Sequence, residues 1–365
     1  MQRRNYVEVG LFPRRMGKTT FLDLLKNFLA VVSDAPYSER RTRYEKLAIY
    51  DRHKAFFDEH FGRYTVFKAD LKGNKYLERG VLVGVFEARY VDMGSGFNNA
   101  HYYRAHTGIA NTGETGHPFQ RAFGFTGQDV GCLVNHYVDK KWPTCTADDY
   151  HVRARFKAHL FAGLLCHFNR YRIGNAACIF CPYAVTEFFQ KLGSVRDPKD
   201  VHFKGFSSCA ESGNLKMINA ITADSIGSLT HHINSLAASF HQRHNLQPSI
   251  DELVEKHAVD TFDDNVVNTM IHELPMAHPL QDESGTGAEI ARMCMVDTFY
   301  LEDIMAINTH LSVRTAIQIL YQAGFLVPVT EDEVAIPSME VLQDLLHAFP
   351  FSLVAVNATL GKGAI

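Results

Sequence analysis

Gly17-Lys18-Thr19-Thr20, within Pro13-Arg14-Arg15-Met16-Gly17-Lys18-Thr19-Thr20, is the group whose residue types and spacing could do chemistry. It lies between a short apolar run that starts at Val7 and an amphipathic helix, which is where a phosphate-binding loop belongs. In such a loop, backbone N–H groups of the turn and the first helical residues point at the β- and γ-phosphates, and the helix dipole favours their charge. Lys18 then acts as a point charge on the phosphates, the Thr19 hydroxyl is a Mg²⁺ ligand, and Thr20 supports the loop. Arg14 and Arg15 add fixed positive charge beside them. The full pattern G-x-x-x-x-G-K-[ST] is not met, because Phe12 stands five residues before Gly17 and the nearest earlier glycine is Gly10. Taken by itself, Gly17 also fits a plain helix start with Lys18 as a solvated first-turn residue, and Arg14-Arg15 fits a surface basic pair.

The elements that must position this group follow from periodicity. Phe21, Leu24, Leu25, Phe28 and Leu29 recur at spacings of three and four, which predicts one apolar helical face. A second helix follows, then a buried strand from Tyr64 to Leu71, and another over Val81 to Phe86. The order strand, loop, helix, helix, strand predicts a βαβ unit and a parallel sheet, so the expected class is an α/β P-loop NTPase-like core. A Gly/Asn/His-rich stretch then reads as a long loop. Thr126 with Asp129 marks a helix start, and helices are expected over roughly 128–138, 149–170, 182–192, 213–243 and 249–258, the last opened by Ser249 with Glu252. Two helices (one of them Val313 to Ala323), a hairpin around Glu331-Asp332-Glu333 and a final helix predict a winged-helix-like module. The expected division is a shortened core over 1–138, a mainly helical region over 139–284, the winged-helix-like module over 285–350 and a tail over 351–365.

With 365 residues, 46% of them apolar and 21% charged, the chain has the composition of a globular protein and excludes disordered, collagenous and coiled-coil classes. A net charge of −3 gives no support for a bulk electrostatic hold on nucleic acid or acidic membrane. No apolar run approaches the roughly 18 residues of a membrane span, and Met1 to Phe12 lacks the pattern of a signal peptide. An intracellular protein, cytoplasmic or nuclear, is expected. Seven scattered cysteines fit reduced core residues better than a disulfide framework.

The loop and the segments after it also carry a resemblance. PRRMGKTTFLDLLKNFL followed by YEKLAIYDRHKAFFDEHFGRYTVFKADLK resembles the AAA-ATPase-like family, whose members often carry a C-terminal PD-(D/E)XK nuclease-like domain. That family's loop also reads P-R-R-x-G-K-[ST] without the first glycine. The resemblance continues through GVLVGVFEARYVDMGSGFNN, FGFTGQDV, FNRYRIG with IFCPYAVTEFF, and LYQAGFLVPV with IPSMEVL, in the family's order and over most of the chain. It implies ATP and Mg²⁺ as ligands of Arg14, Arg15, Gly17, Lys18, Thr19 and Thr20. In the family an acidic strand, the Walker B segment, lies between the parts equivalent to TVFKADLKG and GVLVGVF. Here only Lys72 to Glu78 separates them, too little for a crossover that needs about a dozen residues.

An ATP-binding protein with weak or absent hydrolysis is therefore expected, and no nuclease chemistry, since the paired acid and E-x-K signature is missing. A degenerate scaffold or interaction protein of the same family, binding no nucleotide, and an incomplete gene product remain as alternatives. Asp70 and Glu87 are weak substitutes for the missing acid. Cys178-x-x-Cys181 lacks a second pair for zinc. His231, His232, His241 and His244 read as a solvated helical face. Asn98 and Asn99 fit a turn, and Ser212-Gly213-Asn214 and Arg172 have no assigned chemistry. The acidic hairpin turn would repel phosphates of nucleic acid.

Overall fold

The computed structural model describes residues 6–11, 16–33, 35–66, 79–84, 88–89, 100–104, 119, 122–141, 149–173, 176–192, 201, 203, 229–230, 232–240, 249–257, 261–273, 299–300, 313–328 and 334–348. β1 (Tyr6–Leu11) precedes α1 (Lys18–Leu29). The expected second helix is instead three short ones, α2 (Tyr37–Tyr44), α3 (Ala48–Arg52) and α4 (Lys54–His60). Short strands β2 (Arg79–Gly84), β3 (Ala88–Arg89) and β4 (Ala100–Arg104) lead to α5 (Gly127–Lys141) and α6 (Asp149–Phe168). Then come β5 (Asn169–Ile173), β6 (Ala176–Phe180), α7 (Pro182–Leu192) and a helical stretch over 229–230 and 232–240, here α8. The rest comprises α9 (Ile250–His257), α10 (Asp264–Glu273), β7 (Phe299–Tyr300), α11 (Val313–Ala323), β8 (Val327–Pro328), β9 (Val334–Ala335) and α12 (Met339–Ala348).

This architecture corrects the expected class. The described residues are mostly helical, not an α/β P-loop NTPase core on a parallel sheet. Among the described residues, parallel pairing is confined to short strands, β1 between β2 and β4 and two residues of β3 beside β7, and to the single bridge of Ala30 with Tyr64. A doubly wound core needs helices packed along both faces of its sheet. Among the described residues no helix packs extensively on the β2-β1-β4 ribbon. The helix after β1 packs elsewhere, through Phe21 and Phe28. Of the strand expected over Tyr64 to Leu71, only a bridge of Tyr64 to Ala30 is described.

Helix and ring packing builds the interior. From Ala158 to Phe168 α6 is apolar and buried except at the half-buried His159 and His167, as suits a helix at the centre of a helical core. Its neighbours are α5, α7, α9, α10 and α12, with the antiparallel pair β5-β6 at its end. Gly127 and Gly131, one turn apart on α5, let α10 come close: a Cβ at Gly127 would sit 2.1 Å from Ile271 Cδ1, and one at Gly131 2.8 Å from Val267 Cγ2. α5 begins with the expected capping box, Asp129 N–H donating to Thr126 Oγ1 at 3.2 Å and Thr126 N–H to Asp129 Oδ2 at 2.8 Å. α9 begins likewise with Ser249 and Glu252. A second core joins α8, α11, β9 and α12, and the Tyr171 hydroxyl, donating to the Gly324 carbonyl at 3.3 Å, ties β5 to the turn before β8.

A third, aromatic core surrounds Phe28, Phe57 and Phe61. Phe57 and Phe61 lie parallel with centroids 4.9 Å apart, and Phe28 meets both rings edge-on. Arg40, only 3% exposed, closes the C-terminal end of α1. Its Nη1 donates to the carbonyls of Asn27 at 2.6 Å and Ala30 at 2.9 Å, a cation on carbonyls that the helix itself leaves unpaired.

Two outcomes follow from this packing. Arg40→Met keeps the stem but leaves those carbonyls without a donor, and is expected to cost roughly 2–3 kcal/mol in urea unfolding. Between α9 and α10, Lys256 Nζ at 2.6 Å and His257 Nε2 at 2.7 Å hold the Glu273 carboxyl below the usual carboxylate range. A depressed folded-state pKa contributes stability above the unfolded value and loses it as pH falls through the folded one. Glu273→Gln should therefore flatten the acid-side fall in the urea midpoint while lowering the midpoint at neutral pH.

Candidate functional site

Gly17 has φ 85° and ψ 15°, a left-handed conformation that favours glycine. A Cβ built on it meets nothing within 4 Å, so the requirement is one of backbone conformation and not of space. The Gly17 carbonyl accepts from Phe21 N–H at 2.9 Å and closes the first turn of α1. Gly17, as the cap residue, has no side chain to cap that turn, and the turn contains no acidic residue. The contrast with α5, α9 and α10 is clear: each of those starts on a side-chain oxygen of its own, Thr126, Ser249 and Asp263. Lys18 is half-buried, and Thr19 and Thr20 are exposed on the same turn. The arrangement offers N–H groups, an ammonium and two hydroxyls at the positive end of a helix, which is chemistry suited to a multiply charged anion.

The turn has a fixed base. Met16 is 1% exposed and its carbonyl accepts from Gly124 N–H at 3.2 Å. Phe125 and Phe180 exchange both backbone hydrogen bonds, at 3.0 and 2.8 Å, which holds the Phe123–Thr126 turn against β6. On the far side of the glycine, Phe21 meets Phe123 edge-on with centroids 5.1 Å apart. Three separated stretches of sequence, Met16 to Phe21, Phe123 to Phe125 and Ile179 to Phe180, thus meet beneath α1. Sequence reasoning missed Met16, Gly124 and Ile179; the available signal was an apolar side chain set within an otherwise basic and polar loop.

Arg14 and Arg15 lie outside the described residues, as do Asp70, Glu87, Asn98, Asn99, Ser212-Gly213-Asn214 and the acidic turn Glu331-Asp332-Glu333. Cys181 is buried, and the side chain of Cys178 is not described. His232 is half-buried, while His231, His241 and His244 fall outside the described residues. Arg172 is half-buried on β5, and burial lowers its pKa. Among the described residues no group of three or more His, Cys, Asp or Glu is placed to hold a metal ion, and no helix is long and apolar enough to cross a membrane.

No family model, curated protein or solved structure matches this chain. The site has to be judged on its own geometry. Gly17→Ala forces a Cβ into the left-handed region, and is expected to lower stability by roughly 1–2 kcal/mol in urea unfolding, with no steric contribution from neighbours.

Proposed function

We propose that the Gly17–Thr20 turn binds the phosphates of ATP with Mg²⁺, and that turnover is weak or absent. The observation that carries this reading is the start of α1: a left-handed Gly17 as a cap residue without a side chain, no acid in the first turn, and Thr19 and Thr20 exposed. A phosphate fits these groups, since backbone N–H groups at a helix N-terminus satisfy anionic oxygens. Lys18 neutralises charge on the phosphates, Thr19 offers its hydroxyl to Mg²⁺, and Thr20 supports the turn. Arg14 and Arg15 join by their place in the sequence. Kinship with the AAA-ATPase-like family is part of the same proposal and rests on the shared PRRMGKTT loop and the islands after it.

Weak turnover is inferred from the short Lys72 to Glu78 spacer, which leaves no length for the acidic strand that orders metal and water. Phosphate binding survives that loss better than catalysis does, because positioned water and metal supply most of the rate. A scaffold that binds no nucleotide is the second reading. It is favoured by α1 not packing extensively on the β2-β1-β4 ribbon.

Calorimetric titration with Mg·ATP, beside Lys18→Ala, separates the two. Micromolar binding by the wild type that is lost in the variant is the expected result. Absence of heat in a wild-type protein that melts cooperatively would establish the scaffold instead, and phosphate release abolished by Lys18→Ala would overturn weak turnover.

A further inference from the structure

Gly17–Thr20 is held from both ends by one distant turn. Before it, Met16 is buried with its carbonyl on Gly124 N–H; after it, Phe21 packs on Phe123. Gly124 itself has φ 83°, and a Cβ there would lie 2.2 Å from Ile179 Cγ2 and 2.9 Å from Met16 Cε. Three chain segments therefore meet where even a methyl group has no room. Immediately beyond, Phe125 bridges Phe180, and Thr126 with Asp129 starts α5. An unbranched thioether side chain fills such an irregular gap well.

We propose that Met16 is a positioning residue for the phosphate turn, coupling occupancy of Gly17–Thr20 to the packing of the α5 start on β6. The proposal rests on the phosphate-binding reading. A ligand that orders Gly17 also orders the Met16 carbonyl beside it, and through Gly124 the Phe125–Phe180 bridge. The coupling is reciprocal: what loosens the bridge weakens the ligand by the same factor.

The test uses the full chain as wild type, Met16→Ala, Met16→Leu and Leu345→Ala, the last removing a buried side chain from the other core. Met16→Ala should weaken Mg·ATP at least about tenfold in calorimetry. Met16→Leu, of similar volume, should restore near wild-type affinity. Leu345→Ala should lower the melting temperature without changing affinity, which separates positioning from general destabilisation. In hydrogen exchange, Mg·ATP should slow the Phe125 and Phe180 amides in the wild type and in Met16→Leu but not in Met16→Ala. Wild-type affinity in Met16→Ala, or ATP binding with no change at those two amides, would overturn the coupling while leaving the phosphate reading intact. If the wild type gives no heat with ATP, the phosphate reading fails, and the tether is decided without ligand. The Thr20 and Phe21 amides then exchange faster in Met16→Ala than in Leu345→Ala if it stands, and equally if it does not. Met16→Val serves the same comparison if Met16→Ala does not melt cooperatively.

Discussion

Close approach at Gly124 constrains much of what surrounds it. The backbone there passes between Met16 and Ile179 with no space for a side chain, and its N–H reaches the Met16 carbonyl. That contact sets where the chain enters α1, where α5 begins and where β6 ends. α5 in turn lies on α6 and α10, and β6 leads through buried Cys181 into α7. Shifting the meeting point would displace all of these together, because packed interiors transmit strain instead of absorbing it.

α1 belongs to two interiors at once. Phe21 packs at the edge of the large core, while Phe28, seven residues on, enters the aromatic core with Phe57 and Phe61. Its two ends are treated differently. A buried guanidinium sits on the C-terminal carbonyls, where a helix dipole favours a cation, whereas the N-terminal cap residue, Gly17, has no side chain to offer the first N–H groups. The helix is thus fastened at its base and along its length, with its positive end turned to Gly17–Thr20.

Local signals in the sequence were sufficient wherever local forces decide. The Thr126/Asp129 and Ser249/Glu252 boxes start helices because hydroxyl and carboxylate satisfy N–H groups within one turn, whatever lies beyond. The helices over 182–192 and 313–323 follow their apolar spacing, and β8 and β9 pair antiparallel where a hairpin is expected. What spacing leaves open is the partner. Leu24 shares the periodic face of Phe21 and Phe28, yet it is 51% exposed, because α1 meets its two cores at separated points and not along a continuous stripe. The same gap explains the sheet. Apolar runs at Val7 and Val81 indicate strands, and the strands pair in parallel, but nothing in an apolar run says whether a helix will cover it. An apolar Met16 in a polar loop marks a buried contact, but spacing does not say that its partners are a glycine and an isoleucine far along the chain.

A phosphate group makes two separable demands on a protein. Binding needs N–H groups and a cation held at fixed spacing, so the entropy of ordering them is already lost before the ligand arrives. In a doubly wound protein a parallel sheet supplies that rigidity from behind the loop. Here no described helix packs extensively on the β2-β1-β4 ribbon, and the support described for Gly17 is the helical interior, reached through Met16 on one side and Phe21 on the other. Turnover demands more, a carboxylate that orders metal and water at the far side of the phosphates. That group comes from a neighbouring strand and not from the turn, so losing the strand removes the second demand without touching the first. On the reading proposed above, Gly17-Lys18-Thr19-Thr20 on a buried Met16 base beside a short Lys72 to Glu78 spacer meets the requirements of a binder and not those of a catalyst.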